Sequence, residues 1–419
     1  MNSASIGNLK VTKKRTTTWF DNIARKMVFT MLGRLEIGHL TLEENGVTHT
    51  FGEPEDTASY CAHIHIHDIH AYRDIFSNSS IGAGEAYMKG SWSSPDIVAV
   101  IRLMTANLNV INKMDAKRPI WSRVGAKLVH KFNANTKQGS KENISAHYDL
   151  GNDFFSLFLD PTMMYSSAIY PHKEASLEEA SVHKLDRICQ KLQLSSADHL
   201  IEIGTGWGGM AIHAAKHYGC KVTTTTISQE QYDFAKARVE AEGLEDKITL
   251  LLEDYRDLTG QYDKLVSVEM IEAVGHEYYD SYFSKCSSLL KPHGVMVIQA
   301  ITIADQRYDY ARRSVDFIQR YIFPGGCLPS NQVIAHKIAE KTDMQIVGLE
   351  DITEHYAKTL ADWRERFHAA RHDVAEMGFD GVFCRMWDFY LAYCEGGFKE
   401  RAISTSQFIF AKPDHRLSI

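Results

Sequence analysis

Nowhere in its 419 residues does the chain hold a run of about 20 apolar residues, the length a membrane span needs, so no transmembrane helix is expected. The opening MNSASIGNLKVTKKRTTTWF lacks the apolar core of a secretory leader and reads as uncleaved. The seven cysteines are scattered without a CxxC pair. That argues against a disulfide frame or a zinc site, and for reduced thiols in a cytoplasmic protein. Nor is there an excess of positive charge: 46 Lys and Arg against 53 Asp and Glu leave a net charge of −7. Nucleic acid is therefore not an expected partner. What remains is a globular composition, 44% hydrophobic and 24% charged, at a length that suits two domains.

Residues 1–112 read as a small α+β domain, 113–140 as a basic linker and 141–419 as the catalytic part. The linker carries Lys113, Lys117, Arg118, Arg123, Lys127, Lys131 and Lys137, with Lys141 just beyond it and Asp115 as its one acid. It is either a solvated hinge or a strip facing anionic lipid headgroups, at about 1 kcal/mol per cation. Lys10, Lys13, Lys14 and Arg15 would add to such a strip. Within the first domain, Asn45-Gly46 between alternating segments signals a hairpin. AHIHIHDIH places His63, His65 and His67 on one strand face. They could ligate a metal, but the chemistry argued below needs none, and none is expected. GEAYMKGSW, from Gly84 to Trp92, reads as turn-rich.

After the linker, HLIEIG, KVTTTTIS, KITLLLED, YDKLVSVEM and GVMVIQAITI alternate with helix-like segments. This predicts an α/β fold: a mostly parallel sheet with helices on both faces and ligands at the carboxyl ends of the strands. IEIGTGWGG puts Gly204, Gly206, Gly208 and Gly209 between a strand and a helix beginning near Trp207. Bare backbone at a helix N-terminus suits an anionic group such as a carboxylate. Gly204, Gly206 and Gly209 also satisfy GxGxxG, but a dinucleotide site wants an acid about 20 residues on, and TTTTIS stands there. Glu202 before the glycines, with Asp254 and Tyr255 after the third strand to meet an adenine amino group and ring face, speaks instead for S-adenosylmethionine.

HYDLGNDFFSLFLDPTMMYSSAIY, LIEIGTGWGG, VTTTTISQEQ, EMIEAVGHEYY, YIFPGGCLPS and EHYAKTLADW together resemble the cyclopropane-fatty-acyl-phospholipid synthase family. The resemblance covers about 141–412, and IGAGEAYMKGSW extends it into the N-terminal domain. It implies the Rossmann-like class I methyltransferase fold, seven-stranded, with RAISTSQFIFAK as an antiparallel strand. It implies cofactor contacts at Tyr165, Ser166, Gly204, Gly206, Thr226, Ile227, Gln231, Asp254 and Tyr255. It also implies a bound bicarbonate as general base, held by Glu272, Tyr356 and the backbone of Ser167 and Ile301. Where the family has a His in this set, the chain has Gln299, which can donate a hydrogen bond but cannot titrate. The N-terminal domain would be a lipid-docking module.

The implied reaction transfers a methylene group to the cis double bond of an unsaturated phospholipid acyl chain. A weak alkene nucleophile must be held in line, worth about 7–11 kcal/mol. The cation that follows calls for a dry site and aromatic faces. Phe154, Phe155, Phe158, Tyr170, Tyr278, Phe317, Tyr321 and Phe323 are candidates, many of them ordinary core. Two rivals stay open: a methylene- or methyl-branched product, which Gln299 keeps alive, and an inactive lipid-binding protein. The expected partner is a bilayer surface approached from the cytoplasmic side as a peripheral protein, and a homodimer is left open.

Overall fold

A computed structural model of the chain describes residues 17–53, 60–109, 111 and 150–416. The basic linker 113–140 and the cations from Lys10 to Arg15 lie outside the described residues.

Thr18 starts the first helix, Trp19–Leu32. Its hydroxyl accepts from the Asp21 N–H at 3.4 Å while the Asp21 carboxylate accepts from the Thr18 N–H at 2.8 Å, a reciprocal cap. The helix accompanies a four-stranded sheet of β1 (His39–Glu44), β2 (Val47–Gly52), β3 (Cys61–Ile66) and β4 (Trp92–Ser93), in the order β2-β1-β3-β4. Asn45 and Gly46 join β1 to β2 at φ of 49° and 78°, the left-handed pair a two-residue hairpin needs. Alternation buries Leu40 and Leu42 and leaves Glu43, His63 and His65 on the half-exposed face. There Glu43 pairs with His63 at 3.2 Å and His65 at 3.1 Å, while His67 bonds Ser93 at 2.7 Å.

The reading of Gly84–Trp92 as turn-rich needs correction. Gly84–Met88 are the last turn of the helix His70–Met88, and only a short turn separates them from β4. Gly84 is small for packing reasons: a Cβ there would come within 2.4 Å of the Phe317 ring. Gly84→Val should therefore overpack this contact, costing about 1–3 kcal/mol. A thermal melt should show the transition lowered by several degrees, and an unchanged midpoint would contradict the packing argument.

The second sheet holds β5 (His199–Ile203), β6 (Lys221–Thr226), β7 (Ile248–Leu252), β8 (Tyr262–Val268), β9 (Leu290–Ile303), β10 (Gln345–Asp351) and β11 (Ile403–Ala411). Its order is β10-β11-β9-β8-β5-β6-β7. Strands β5 to β9 pair in parallel and β11 is inserted antiparallel between β9 and β10, as expected for RAISTSQFIFAK. The order reverses direction at β5, so the crevice for a ligand opens beyond its carboxyl end.

One hydrophobic core runs from the N-terminal elements into the catalytic part. The helix Gly381–Lys399 carries it, lying against His70–Met88 and Ile97–Ala106. The Tyr87 hydroxyl donates to Asp388 at 2.6 Å, and Arg102 to Glu400 at 2.6 Å, across the same junction.

Candidate active site

Beyond β5 the chain turns through Gly204, Gly206 and Gly208 at φ of 100°, 52° and 88° before the helix Gly209–Tyr218 begins. A Cβ on Gly206 would meet nothing within 4 Å, so it would stand in open space. Backbone left bare in this way lets a ligand approach the helix N-terminus. At the end of β6 the Thr226 hydroxyl donates to the Gln231 side-chain oxygen at 2.8 Å, fixing a buried hydroxyl–amide pair. Beyond β7, Asp254 caps the short turn Tyr255–Asp257. Both its carboxylate oxygens accept from the Arg256 guanidinium, at 2.8 and 2.7 Å, so an adenine amino group would have to share them.

All ten residues expected around the cofactor line a single cavity of about 1140 Å³: Tyr165, Ser166, Glu202, Gly204, Gly206, Thr226, Ile227, Gln231, Asp254 and Tyr255. Open glycine backbone, a hydroxyl–amide pair and an aromatic ring in succession fit the carboxylate, ribose and adenine of S-adenosylmethionine.

Two buried ionisable groups stand at this floor. Burial pushes the Glu202 carboxyl up to about 8, although Thr224 donates to it at 2.6 Å. Lys184 is wholly buried and donates to the Ser166 hydroxyl at 2.8 Å, and burial lowers its ammonium to about 8. Sequence reading missed Lys184. The signal was its place in the apolar stripe Leu177, Ala180, Leu185 and Ile188 of the helix Leu177–Leu192.

The residues implied to hold bicarbonate do converge, but a residue absent from that expectation stands among them. Glu269 Oε1 accepts from the Ser167 N–H at 2.9 Å and from Gln299 Nε2 at 2.7 Å. Its Oε2 accepts from the Tyr356 hydroxyl at 2.7 Å. The remaining expected pair is closed on itself, the Ile301 N–H donating to Glu272 Oε1 at 2.5 Å. Every expected donor is thus engaged by a carboxylate of the chain, and the residues present do not fit bicarbonate. The orientation of Gln299 is also set, since its Oε1 accepts from Gln407 Nε2 at 2.9 Å across β9 and β11. Gln407 in turn accepts from Lys191.

Two half-buried carboxylates, both lining the cavity, therefore share one site. Burial raises Glu269, while Gln299, Tyr356, the Ser167 N–H and the charge of Lys184 work to lower it. Burial and then the charge of Glu269 push Glu272 up to about 8. Its Oε2 is buried without a hydrogen-bond partner, so Glu272 carries the proton near neutrality, whereas the three donors on Glu269 favour its charged form against the burial that raises it.

A pH effect on folding follows. A raised folded-state value means that the folded chain holds a proton the unfolded chain has lost. The stabilisation from Glu272 is full below the ordinary 4.5 and disappears as pH rises through about 8. Glu272→Gln should flatten this decline, gaining on the wild type between those limits, with each tenfold change in proton affinity worth about 1.4 kcal/mol. Urea unfolding across that range checks it, and parallel pH curves would refute it.

The aromatic expectation needs correction. Of the eight rings singled out in the sequence, Phe323 alone lines the cavity; Phe154, Phe155, Phe158 and Phe317 are fully buried core. Further rings of the cavity include Tyr165, Tyr356 and, from the helix Gly381–Lys399, Phe389, Tyr390, Tyr393 and Phe398. The Tyr165 and Tyr390 hydroxyls share a hydrogen bond at 2.8 Å. N-terminal elements complete the apolar walls through Val28, Leu42, Ile64, Ile66, Ile75 and Val100.

A family model described as mycolic acid cyclopropane synthetase matches residues 135–408. The chain is 39% identical over 345 residues to the tuberculostearic acid methyltransferase UfaA1 of Mycobacterium tuberculosis, a match covering 80% of each. It is 38% identical over 347 residues to the cyclopropane-fatty-acyl-phospholipid synthase of Escherichia coli strain K12, covering 81% of this chain and 85% of that protein. The solved structure of the mycolic acid cyclopropane synthase CmaA1 complexed with SAH and CTAB aligns at a TM-score of 0.61 and 31% identity, over 65% of this chain and 98% of that one.

Proposed function

The chain belongs to the mycolic acid cyclopropane synthetase family and is an S-adenosylmethionine-dependent methyltransferase. From that premise we propose that it adds a one-carbon unit to the cis double bond of an unsaturated acyl chain in membrane phospholipid, closing a cyclopropane ring. The observation that carries this reading is the continuity of one cavity from the cofactor floor to the apolar walls of the N-terminal part. A long hydrocarbon needs such walls, and they keep water from a cationic centre.

When bound, S-adenosylmethionine supplies an electrophilic methyl group on sulfur. The glycine loop and the Thr226–Gln231 pair hold that donor in place, and Tyr165 and Phe323 line the cavity where their ring faces can stabilise positive charge, at about 0.5–2 kcal/mol each. A proton must then leave. Loss from the transferred methyl closes the ring, loss from a neighbouring chain carbon gives a methyl-branched alkene, and a hydride shift onto the cationic carbon followed by loss from the methyl gives a methylene branch. Branching is the second reading, kept open by Gln299 in place of a titrating His and by the similarity to a tuberculostearic acid methyltransferase. An inert lipid-binding role is disfavoured by the intact glycine loop and reaction-site carboxylates.

Access from a bilayer is supported by the first helix. Trp19, 74% exposed, and exposed Ile23 and Met27 follow one another along its outer face, while Val28, Met31 and Leu32 line the cavity. No helix among the described residues is long and apolar enough to cross a membrane. This suits a peripheral protein at the inner face, with 113–140 as the anionic-lipid strip.

The test is purified protein with S-adenosylmethionine and vesicles of cis-monounsaturated phospholipid, followed by mass spectrometry and proton NMR of the released chains. One added CH2 with upfield ring protons is the expected result. The same mass with vinylic methylene signals would replace the cyclopropane reading by the branched one. No added mass, with cofactor binding intact, would sink the acceptor assignment.

A further inference from the structure

We propose that Glu269 is the general base of this reaction, its own carboxylate standing where a bound bicarbonate is implied for the family, so that turnover needs no free anion. The inference rests on the reading of one-carbon transfer to an acyl alkene.

The first support is geometric. Ser167 and Gln299 are fully buried and do not line the cavity, whereas Glu269 does. Its carboxylate therefore stands between those donors and any substrate. An ionised carboxylate offers about four acceptor sites. Oε1 takes bonds from Ser167 and Gln299, and Oε2 takes a single bond from Tyr356. One acceptor site on Oε2 is left for a proton.

The second support is in the backbone. Glu269 sits at φ 50°, in the left-handed region that glycine adopts without cost. Its N–H donates to the Gln299 carbonyl at 2.8 Å, holding that conformation. A long acidic side chain at a glycine-type position, with the Ser167, Gln299 and Tyr356 donors aimed at it, is strain kept for what the carboxylate does. Glu272 does not compete for this role: its Oε1 is taken by the Ile301 N–H, and its other oxygen has no donor to hold a charge. Lys191, Gln407 and Gln299 form a chain of donors ending on Glu269, so Gln407 is a positioning residue.

The step balances as follows. The alkene electron pair forms a bond to the methyl carbon, and the carbon–sulfur bond breaks with its pair left on sulfur. The neighbouring chain carbon becomes cationic. Glu269 Oε2 takes a proton from the transferred methyl, and the freed pair closes the ring. The cation and the carboxylate charge cancel, leaving a neutral product and protonated Glu269. Abstraction from a chain carbon by the same oxygen gives the branched alkene.

Three proteins test this in CO2-scrubbed buffer: wild type, Glu269→Gly and Glu269→Gln. Wild-type turnover should stay within about twofold when bicarbonate is removed or restored. Glu269→Gly, which suits the backbone and opens a carboxylate-sized space, should lose about 100-fold or more. Millimolar formate or bicarbonate should return at least about tenfold of that loss, a rescue a purely structural Glu269 would not permit. Glu269→Gln fills the space and should be inactive with or without either anion. A wild type that stops without bicarbonate, a fully active Glu269→Gly in scrubbed buffer, or a formate-rescued Glu269→Gln would each overturn the proposal. A lipid-free arm separates it from the choice of acceptor: 13C-bicarbonate NMR on S-adenosylhomocysteine-loaded protein should show saturable binding to Glu269→Gly and none to wild type. Saturable binding to wild type would overturn the assignment, whatever the acceptor lipid proves to be.

Discussion

Glu269→Gln should lower turnover by about 10²–10⁴-fold, the usual worth of a positioned general base, while S-adenosylmethionine affinity changes by less than about twofold. The amide matches the carboxylate in shape, so the packing survives. It cannot accept a proton at neutral pH, so the step that releases the product cannot. Cofactor affinity is spared because all the expected cofactor residues but Tyr165 and Ser166 lie at or just beyond the ends of β5, β6 and β7, whereas Glu269 follows β8. Glu272→Gln should cost less, because Glu272 is protonated near neutrality and an amide oxygen can still accept from Ile301. Turnover assays with isothermal titration of the cofactor separate the two effects. A parallel collapse of cofactor affinity in Glu269→Gln would move Glu269 from the reaction centre to the cofactor floor.

Gly206→Val should abolish measurable cofactor binding, with a loss of about 100-fold or more, or roughly 2.7 kcal/mol. Two causes act together. Residue 206 has φ 52°, which a β-branched side chain resists, and the new atoms would stand in space that is open only because the cavity is there. The fold should survive, since nothing within 4 Å is struck. The wild type should melt higher with S-adenosylmethionine, as a ligand that binds the folded form requires, and the variant should not. A variant that still gained stability from the cofactor would show that the loop does not cradle it.

These two residues also mark how much of the site was legible beforehand. Gly206 was, because a glycine loop between an apolar strand and a helix is a local pattern, and β5 to β9 follow the alternation read in the chain. Glu269 was not, though it lies three residues from Glu272 in the same EMIEAVG motif. Its partners are 102, 30 and 87 residues away, at Ser167, Gln299 and Tyr356. A motif read linearly gives no way to say which of two acids faces them. A left-handed backbone at residue 269 turns that side chain toward Gln299 and Tyr356, and neither composition nor periodicity carries such a signal. The rings of the cavity were missed for a related reason. Phe154, Phe155 and Phe158 look like a hydrocarbon site by density of aromatics, but they pack into the core that supports one.

By itself, then, the sequence determined strands β5 to β9 of the catalytic sheet, the hairpin at Asn45-Gly46 and the cofactor loop, because each rests on contacts between near neighbours and on backbone preferences a single residue carries. Tertiary structure alone decided that Gly84 closes a helix against Phe317, that N-terminal side chains wall the cavity, and that Glu269 takes the donors expected for an anion. Those outcomes depend on which distant groups share one buried space. There an unpaired charge or an ill-fitting ring costs more than any local preference can return.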